Sequence, residues 1–445
     1  MKILIITYYY APSVTPRALR WSAIAGYLKK LGHRVDVVCA KTTNGTDAGI
    51  DDGVNVNETS GGILDGFKST LLKKQAANSR RSGGRNTAGG EKIRFSTKGL
   101  IKNVYDLTWK KIYWPDFACL WFFPAITAAK KLLQTKDYDC LITVSHPFTC
   151  HMVGHWLRRR HAIPCWIVDI GDPFCFVETT PLNNPKLYPR INARVERKVF
   201  AAADTVSVTT DGTAAIYATL FPESRSKIKV IPPVYSLDTS AISRNPPFKR
   251  DPGKIVLLYV GTLYSGIRSP RFLLEVFDAL PPPRDGRRVE LHFIGLVHDC
   301  HAAFQSYVKR IGKTLFLHGE IAREAVAPVL READILINIG NLTSYQLPSK
   351  LVEYVSLGKP ILNLHKHPQD TSLSFLKGYP AALNMLETTD PTLAAGLLND
   401  FINDADDLCE SALATWRAPF TVEKITGVYL NMAAGTLGGT GICNG

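Results

Sequence analysis

Two nucleotide-binding signatures are missing from this sequence. No Gly-x-Gly-x-x-Gly follows a strand-like segment, which argues against a dinucleotide dehydrogenase. No Walker-type Gly-x-x-x-x-Gly-Lys-Ser/Thr occurs, which argues against a P-loop nucleotide hydrolase. Long apolar runs are missing too. The most apolar segment, Phe117 to Ala129, is about 13 residues and contains Pro124, whereas a membrane span needs about 20. At the start, Ile3 to Ile6 is too short for the apolar core of a signal peptide, so a first buried strand is expected there. The nine cysteines include no Cys-x-x-Cys pair, and their number is odd. Reduced thiols in a cytoplasmic protein are expected, rather than a disulfide framework or a zinc site. No Asp-x-Asp follows a strand where it would chelate a diphosphate; Asp51-Asp52 and Asp406-Asp407 lie elsewhere. No metal is therefore expected, and no cofactor apart from a substrate.

What is present describes a large globular protein. The chain has 445 residues, 45% hydrophobic and 21% charged, enough for two large domains or three smaller ones. Its net charge of +14 is unevenly placed. Between Lys68 and Lys111 twelve lysines and arginines stand against Glu91 and Asp106, a net of +10. Such a stretch attracts nucleic acid or an anionic membrane surface, or is simply a solvated loop. The segment Trp109 to Phe117 and then Leu120 to Phe123 mixes cations with Trp114, Phe117, Trp121, Phe122 and Phe123. It suits a membrane interface, or equally a core helix with a basic approach. No recognised nucleic-acid fold fits the strands, so nucleic acid is not expected as a partner.

Two alternating series of strands and helices run along the chain. The first has strands at Lys2 to Thr7, Arg34 to Cys39, Cys140 to Val144, Trp166 to Ile170, Thr205 to Val208 and Ile228 to Ile231. Its amphipathic helices include Arg17 to Leu31, stopped by Gly32, and Phe148 to Arg160. Residues 41–103, rich in Gly, Ser, Asn, Lys and Arg, interrupt it as a partly disordered insertion. Pro232-Pro233 and Ser236 to Pro252 look like a linker. The second series has strands at Ile255 to Val260, Val289 to Ile294, Thr314 to Leu317, Ile335 to Ile339 and Pro360 to Leu364. The expected fold class is α/β, with two doubly wound domains, 1–235 and 253–415. A final helix within 416–445 should return to the first domain, followed by a tail. Ligands in such sheets bind beyond the carboxyl ends of the strands, so the loops after Ile6, Val144, Ile170, Val260 and Ile339 carry the chemistry.

The sharpest motif runs from Leu347 to Pro360. Pro348 and Ser349 start a helix and Gly358 ends it. Lys350 and Glu353 then share one face near the helix N-terminus, whose free N–H groups suit a diphosphate. Lys350 adds a full charge, and Glu353 suits the hydroxyls of a ribose. The plainer reading is a surface pair. A second motif, Tyr259 to Arg268, leads from a strand through Gly261, where a ligand can approach the backbone, to Arg268, which can grip phosphate oxygens.

These motifs resemble the nucleotide-binding domain of retaining glycosyltransferase family 4, which has the GT-B fold. The first half is similar to the family as well. Gly32 to Val38 matches its second strand, and Trp166 to Phe174 looks like its Asp-x-x-Asp-Pro-aromatic loop. The resemblance implies two Rossmann-like domains facing across a cleft and transfer of a sugar from a nucleotide diphosphate without a metal. It implies donor contacts from Gly261, Arg268, Ile321, Lys350, Leu351 and Glu353. His146, His151 and Asp172 are the catalytic candidates, and Arg17 and Arg20 the acceptor-binding ones. Two features depart from the pattern. Tyr345 stands where the family has a first Glu, eight residues before Glu353, and the first loop reads Ser13-Val14-Thr15-Pro16-Arg17 without paired glycines. The expected partners are a nucleotide sugar, a glycan or lipid-linked acceptor in bacterial surface polysaccharide or glycolipid assembly, and an anionic membrane surface. The expected location is cytoplasmic, peripheral on the inner face of the membrane. Tyr345 keeps open a regulator or partner subunit that binds a nucleotide sugar without transfer. A sugar-nucleotide epimerase on the same fold is a third reading.

Overall fold

A computed structural model describes residues 1–13, 15–41, 53–60, 112–177, 181–234, 247–404 and 410–439. The chain divides into two compact units. One holds Met1–Thr209, Ala214–Ile231 and Thr426–Gly445; the other holds Thr210–Thr213 and Pro232–Ile425. The second unit thus runs past the residue 415 expected from the sequence. Helix Glu410–Arg417 belongs to it, where Trp416 donates to the Lys377 carbonyl (3.0 Å) and Arg417 to that of Val355 (3.0 Å).

In the first unit the strands are β1 (Lys2–Thr7), β2 (Arg34–Ala40), β3 (Asn55–Thr59), β4 (Cys140–Val144), β5 (Cys165–Asp169), β6 (Thr205–Val208) and β7 (Ile228–Val230). All pair in parallel in the order β3-β2-β1-β4-β5-β6-β7. The helices between them are α1 (Pro16–Lys30), α2 (Phe122–Thr135), α3 (Thr149–Arg158), α4 (Pro189–Ala202) and α5 (Asp211–Leu220). β4 and β5 are buried at every residue, as parallel strands covered on both faces must be. β3 was not expected. It lies inside the stretch read from the sequence as an insertion, and it adds a polar edge beside β2, with Asn55 donating to Asp36. The basic stretch Lys68 to Lys111 and Asp51-Asp52 lie outside the described residues.

The aromatic segment resolves toward the core. Trp121 is fully buried and donates to Thr59 (2.7 Å); Trp114 donates to Asn192 (3.0 Å). Phe117 and Phe122 pack against the main apolar cluster, and of the five aromatics only Phe123 is largely exposed.

The second unit has β8 (Lys254–Val260), β9 (Arg288–Ile294), β10 (Leu315–Leu317), β11 (Ile335–Ile339), β12 (Ile361–His365) and β13 (Ala382–Leu386). Their order is β10-β9-β8-β11-β12-β13, again all parallel. Alternation along β8 feeds two cores. Ile255, Leu257 and Tyr259 face one cluster, with α6 (Arg271–Asp278) and, later in the chain, the helix Pro391–Asp404. Val256, Leu258 and Val260 face the other, with α7 (Arg323–Glu332) and α8 (Ser349–Leu357). α9 (Thr371–Phe375), α10 (Pro391–Asp404) and α11 (Glu410–Arg417) complete this unit. α12 (Val422–Gly439) ends the described chain.

Candidate functional site

In both sheets the strand order reverses once, between β1 and β4 and between β8 and β11. Loops leaving the carboxyl ends of those strands diverge there and leave room for a ligand. Each unit brings polar groups to that point.

In the second unit, β8 delivers Gly261 and Arg268, and β11 delivers Asn341. The Arg268 guanidinium donates from Nε (3.2 Å) and Nη2 (2.9 Å) to Asn341 Oδ1, which joins the two switch-point loops. Asn341 is itself buried and donates to the Gln346 carbonyl (3.1 Å), so its carbonyl oxygen has little freedom. Gly261 lies tight against the next loop. Its N–H donates to the Ile294 carbonyl, and a Cβ on Gly295, whose φ is 125°, would sit 2.2 Å from the Gly261 carbonyl oxygen. Only glycine fits at 295.

α8 begins straight after the β11 loop. Pro348 precedes its first residue, and Gly358 ends it at φ 66°, a left-handed turn that glycine adopts without strain. Lys350 and Glu353 pair on its first turn (3.0 Å), both partly exposed. Leu351, Tyr354 and Val355 turn into the core, and Ile321 packs half-buried against the same cluster. The Leu351 side chain therefore faces away from any ligand, and only its backbone is near the helix start. Tyr345 is buried, and its carbonyl accepts from Thr210 (2.8 Å) and Thr213 (3.0 Å), both in this unit.

In the first unit, His146 follows β4 and Asp172 follows β5. Their loops are tied together: Gly171 N–H donates to Ser145 Oγ (3.3 Å), and the Phe148 and Phe174 rings stack at 4.0 Å. Burial lowers the pKa of His146, against the opposing pull of Asp116 and Asp172. The ring packs on Phe117 at 5.5 Å. Asp116 is fully buried and accepts from Ala118 N (2.9 Å), Thr149 N (2.9 Å) and Thr149 Oγ1 (2.7 Å). Burial raises its pKa above the usual carboxylate range.

Arg17 also reaches this edge. It donates to Asp169 Oδ2 (2.9 Å) and Thr209 (3.2 Å) and lies across Gly171, where a Cβ would meet its Nε at 2.3 Å. Asp169 is the hub, accepting as well from Trp21 (2.7 Å), Ser207 (2.6 Å) and Tyr429 (2.8 Å). Burial pushes its pKa up, but Arg17, Arg20 and these donors outweigh burial and hold it below the usual range.

Two candidates of this unit are not brought to the strand-end surface. His151 is fully buried, its Nδ1 2.8 Å from Thr143 Oγ1, and burial pushes its pKa down to about 3. It is a neutral core group. Arg20 turns inward, donating to Tyr429 (3.0 Å). Conversely, sequence reasoning missed Asn341, Asp116 and Asp169 as partners of the site residues. Asn341 had a signal, since it lies two residues past a strand end at a switch point. Asp116 was hidden in an aromatic run.

Comparison with known proteins accords with this arrangement. Residues 93–239 match the family described as Glycosyltransferase Family 4. No curated protein matches significantly by sequence. Among solved structures, the chain is similar to HepE of Anabaena in complex with UDP and glucose, at 14% identity and TM-score 0.54, covering 98% of this chain and 100% of that one. It is similar to α,α-trehalose 6-phosphate synthase from Burkholderia multivorans, at 13% identity and TM-score 0.57, covering 99% of each chain. It is also similar to WaaG, a glycosyltransferase involved in lipopolysaccharide biosynthesis, at 12% identity and TM-score 0.51, covering 96% and 99%. Residues 93–239 thus carry a Glycosyltransferase Family 4 segment, and the two parallel-sheet Rossmann-like units share the GT-B fold of these solved structures.

Proposed function

We propose that the chain transfers a sugar from a nucleoside diphosphate donor to a hydroxyl acceptor, with retention at the anomeric carbon and without a metal. The observation that carries this reading is the Arg268–Asn341 pair joining the two switch-point loops beside the N-terminus of α8. Nε and Nη2 direct two of the five guanidinium N–H groups to Asn341, and three remain for phosphate oxygens. As the glycosidic bond breaks, charge develops on the leaving diphosphate. Arg268, Lys350 and the first-turn N–H groups of α8 stabilise that charge where it forms. Glu353 accepts from the ribose once Lys350 turns to the phosphate. The acceptor hydroxyl attacks from the face the diphosphate leaves and gives its proton to a departing diphosphate oxygen, with no covalent enzyme intermediate.

In the first unit, His146 is the group for the acceptor side, kept neutral by burial with Asp172 beside it. Arg17 is the candidate cation for an anionic acceptor. We take uridine diphosphate as the first donor to test, because HepE is described with UDP and with UDP-glucose. A lipid-linked glycan of surface polysaccharide or glycolipid assembly is the proposed acceptor, in line with WaaG and with WaaB, a lipopolysaccharide outer core galactosyltransferase. A peripheral location on the inner face of the membrane goes with such an acceptor.

The test is incubation with a panel of nucleotide sugars, with and without EDTA, followed by mass spectrometry for the released diphosphate. Slow donor hydrolysis that EDTA leaves unchanged supports the reading. Activity abolished by EDTA and restored by magnesium overturns its metal-free part. Tight diphosphate binding with no release from any donor supports the non-catalytic alternative that Tyr345 keeps open.

A further inference from the structure

α4 and the turn before it carry five exposed cations and a single acid. Its inward face is settled by packing. Asn192 bonds to Trp114 and Asn183, and Glu196 accepts from Phe174 N (3.2 Å), Cys175 N (2.9 Å) and Tyr217 (2.5 Å), while Val199 and Phe200 enter the core. Glu196 is the one acid of residues 181–198, and it is fully buried. The outward face therefore shows cations without a carboxylate of its own: Lys186, Arg190, Arg194 and Lys198 are all exposed. Arg197 leans aside onto Glu223 (3.2 Å).

Two large apolar side chains sit among these cations. Leu187 is 56% exposed and Ile191 is 44% exposed. Tyr188 between them donates to the Ile112 carbonyl (2.6 Å), which brings in Ile112, itself 60% exposed. Ile112 is also where the chain emerges from the stretch with net +10 between Lys68 and Lys111. These exposed aliphatics are interspersed with cations along the sequence. They suit a surface with negative headgroups outside and hydrocarbon beneath.

We propose that the exposed face of α4, with Leu187, Ile191 and Ile112 as its apolar points, docks onto an anionic lipid leaflet. The charge complementarity fixes the kind of lipid, and the aliphatic points distinguish a bilayer from a dissolved polyanion. Of the proposed function this uses only the peripheral location, and the measurement below needs neither donor nor acceptor.

The experiment is co-sedimentation of the full chain with phosphatidylglycerol–phosphatidylcholine vesicles and with pure phosphatidylcholine vesicles, at low and high salt. The wild type binds the anionic vesicles and scarcely the neutral ones. Each cation near an anionic leaflet is worth roughly a fivefold factor, so Arg190→Glu/Arg194→Glu/Lys198→Glu weakens partitioning by roughly a hundredfold or more. Leu187→Ser/Ile191→Ser weakens it about tenfold, and that loss persists at high salt because apolar contact is not screened. Thermal melting and UDP binding stay at wild-type values in both, because every substituted side chain is exposed. A third variant, lacking residues 80–94, keeps the sensitivity to the helix substitutions. Three outcomes overturn the proposal: no binding of the wild type to anionic vesicles; binding lost with residues 80–94 yet indifferent to the helix substitutions; or competition by an oligonucleotide with no effect of Leu187→Ser/Ile191→Ser.

Discussion

Arg268 and Asn341 give the sharpest test of the donor site. Arg268→Ala removes a full charge and the three N–H groups proposed for phosphate oxygens. A charge-assisted contact contributes about 1.5–3 kcal/mol, so the dissociation constant for UDP should rise roughly 10- to 150-fold. Asn341→Ala removes no charge. It frees the guanidinium from its two hydrogen bonds of 3.2 and 2.9 Å, and the arginine must then be ordered by the ligand itself. That costs about 1 kcal/mol, roughly a fivefold loss. If Asn341 acts only by aiming Arg268, the double variant binds UDP no more weakly than Arg268→Ala, within about 0.5 kcal/mol. Isothermal titration of the four proteins, with melting curves to check folding, measures the cycle. Additive losses would refute the positioning role of Asn341. Unchanged affinity in Arg268→Ala, with folding intact, would remove the donor site from this switch point.

Two further predictions concern stability. His151 has a folded pKa of about 3 against roughly 6.5 when unfolded, so below pH 6.5 the unfolded chain takes up a proton that the folded chain refuses. Its contribution is fully present above pH 6.5 and is lost as pH falls toward 3, at up to about 1.4 kcal/mol per pH unit; urea unfolding at pH 7, 6 and 5 should show a shallower acid loss in His151→Gln, and equal slopes would count against the buried neutral imidazole. Tyr429→Phe removes the hydroxyl that donates to Asp169 and accepts from Arg20, and should cost about 1–3 kcal/mol, read as a lower melting temperature with UDP affinity unchanged; an unshifted melt would mean that water replaces the hydroxyl.

The parts of this fold that follow simple periodicity were legible in the sequence. β1, β2, β4, β5 and β8 to β12 are apolar runs between helix patterns, and α8 is bracketed by Pro348 and Gly358. β3 was not legible. Its sequence, Asn-Val-Asn-Glu-Thr, carries no apolar alternation, because an edge strand beside β2 has little to bury. β13, Ala-Leu-Asn-Met-Leu at an edge of the other sheet, was not singled out although it is mostly apolar. In the candidate site, residue type pointed to Arg268, Lys350 and Glu353, but nothing local revealed that Arg268 bonds Asn341 across 73 residues of chain. Helical periodicity did hold the answer for His151. It shares the inward face of α3 with Cys150, Val153, Gly154 and Leu157, which marks it as a core residue rather than a partner of His146.

The placement of α12 bears on the order in which the protein is made. Arg20 and Asp169 are both made long before Tyr429, yet Tyr429 accepts from the first and donates to the second inside the same unit. Domains usually fold as they emerge from the ribosome. Here the amino-terminal unit must wait, with a buried carboxylate short of one donor, while the whole of β8 to α11 is synthesised. The second unit has no such debt, since Pro232–Ile425 is one continuous stretch apart from Thr210–Thr213. The later-made half is therefore positioned to finish folding first, and a ribosome that stalls before α12 leaves the earlier-made half as the unfinished one.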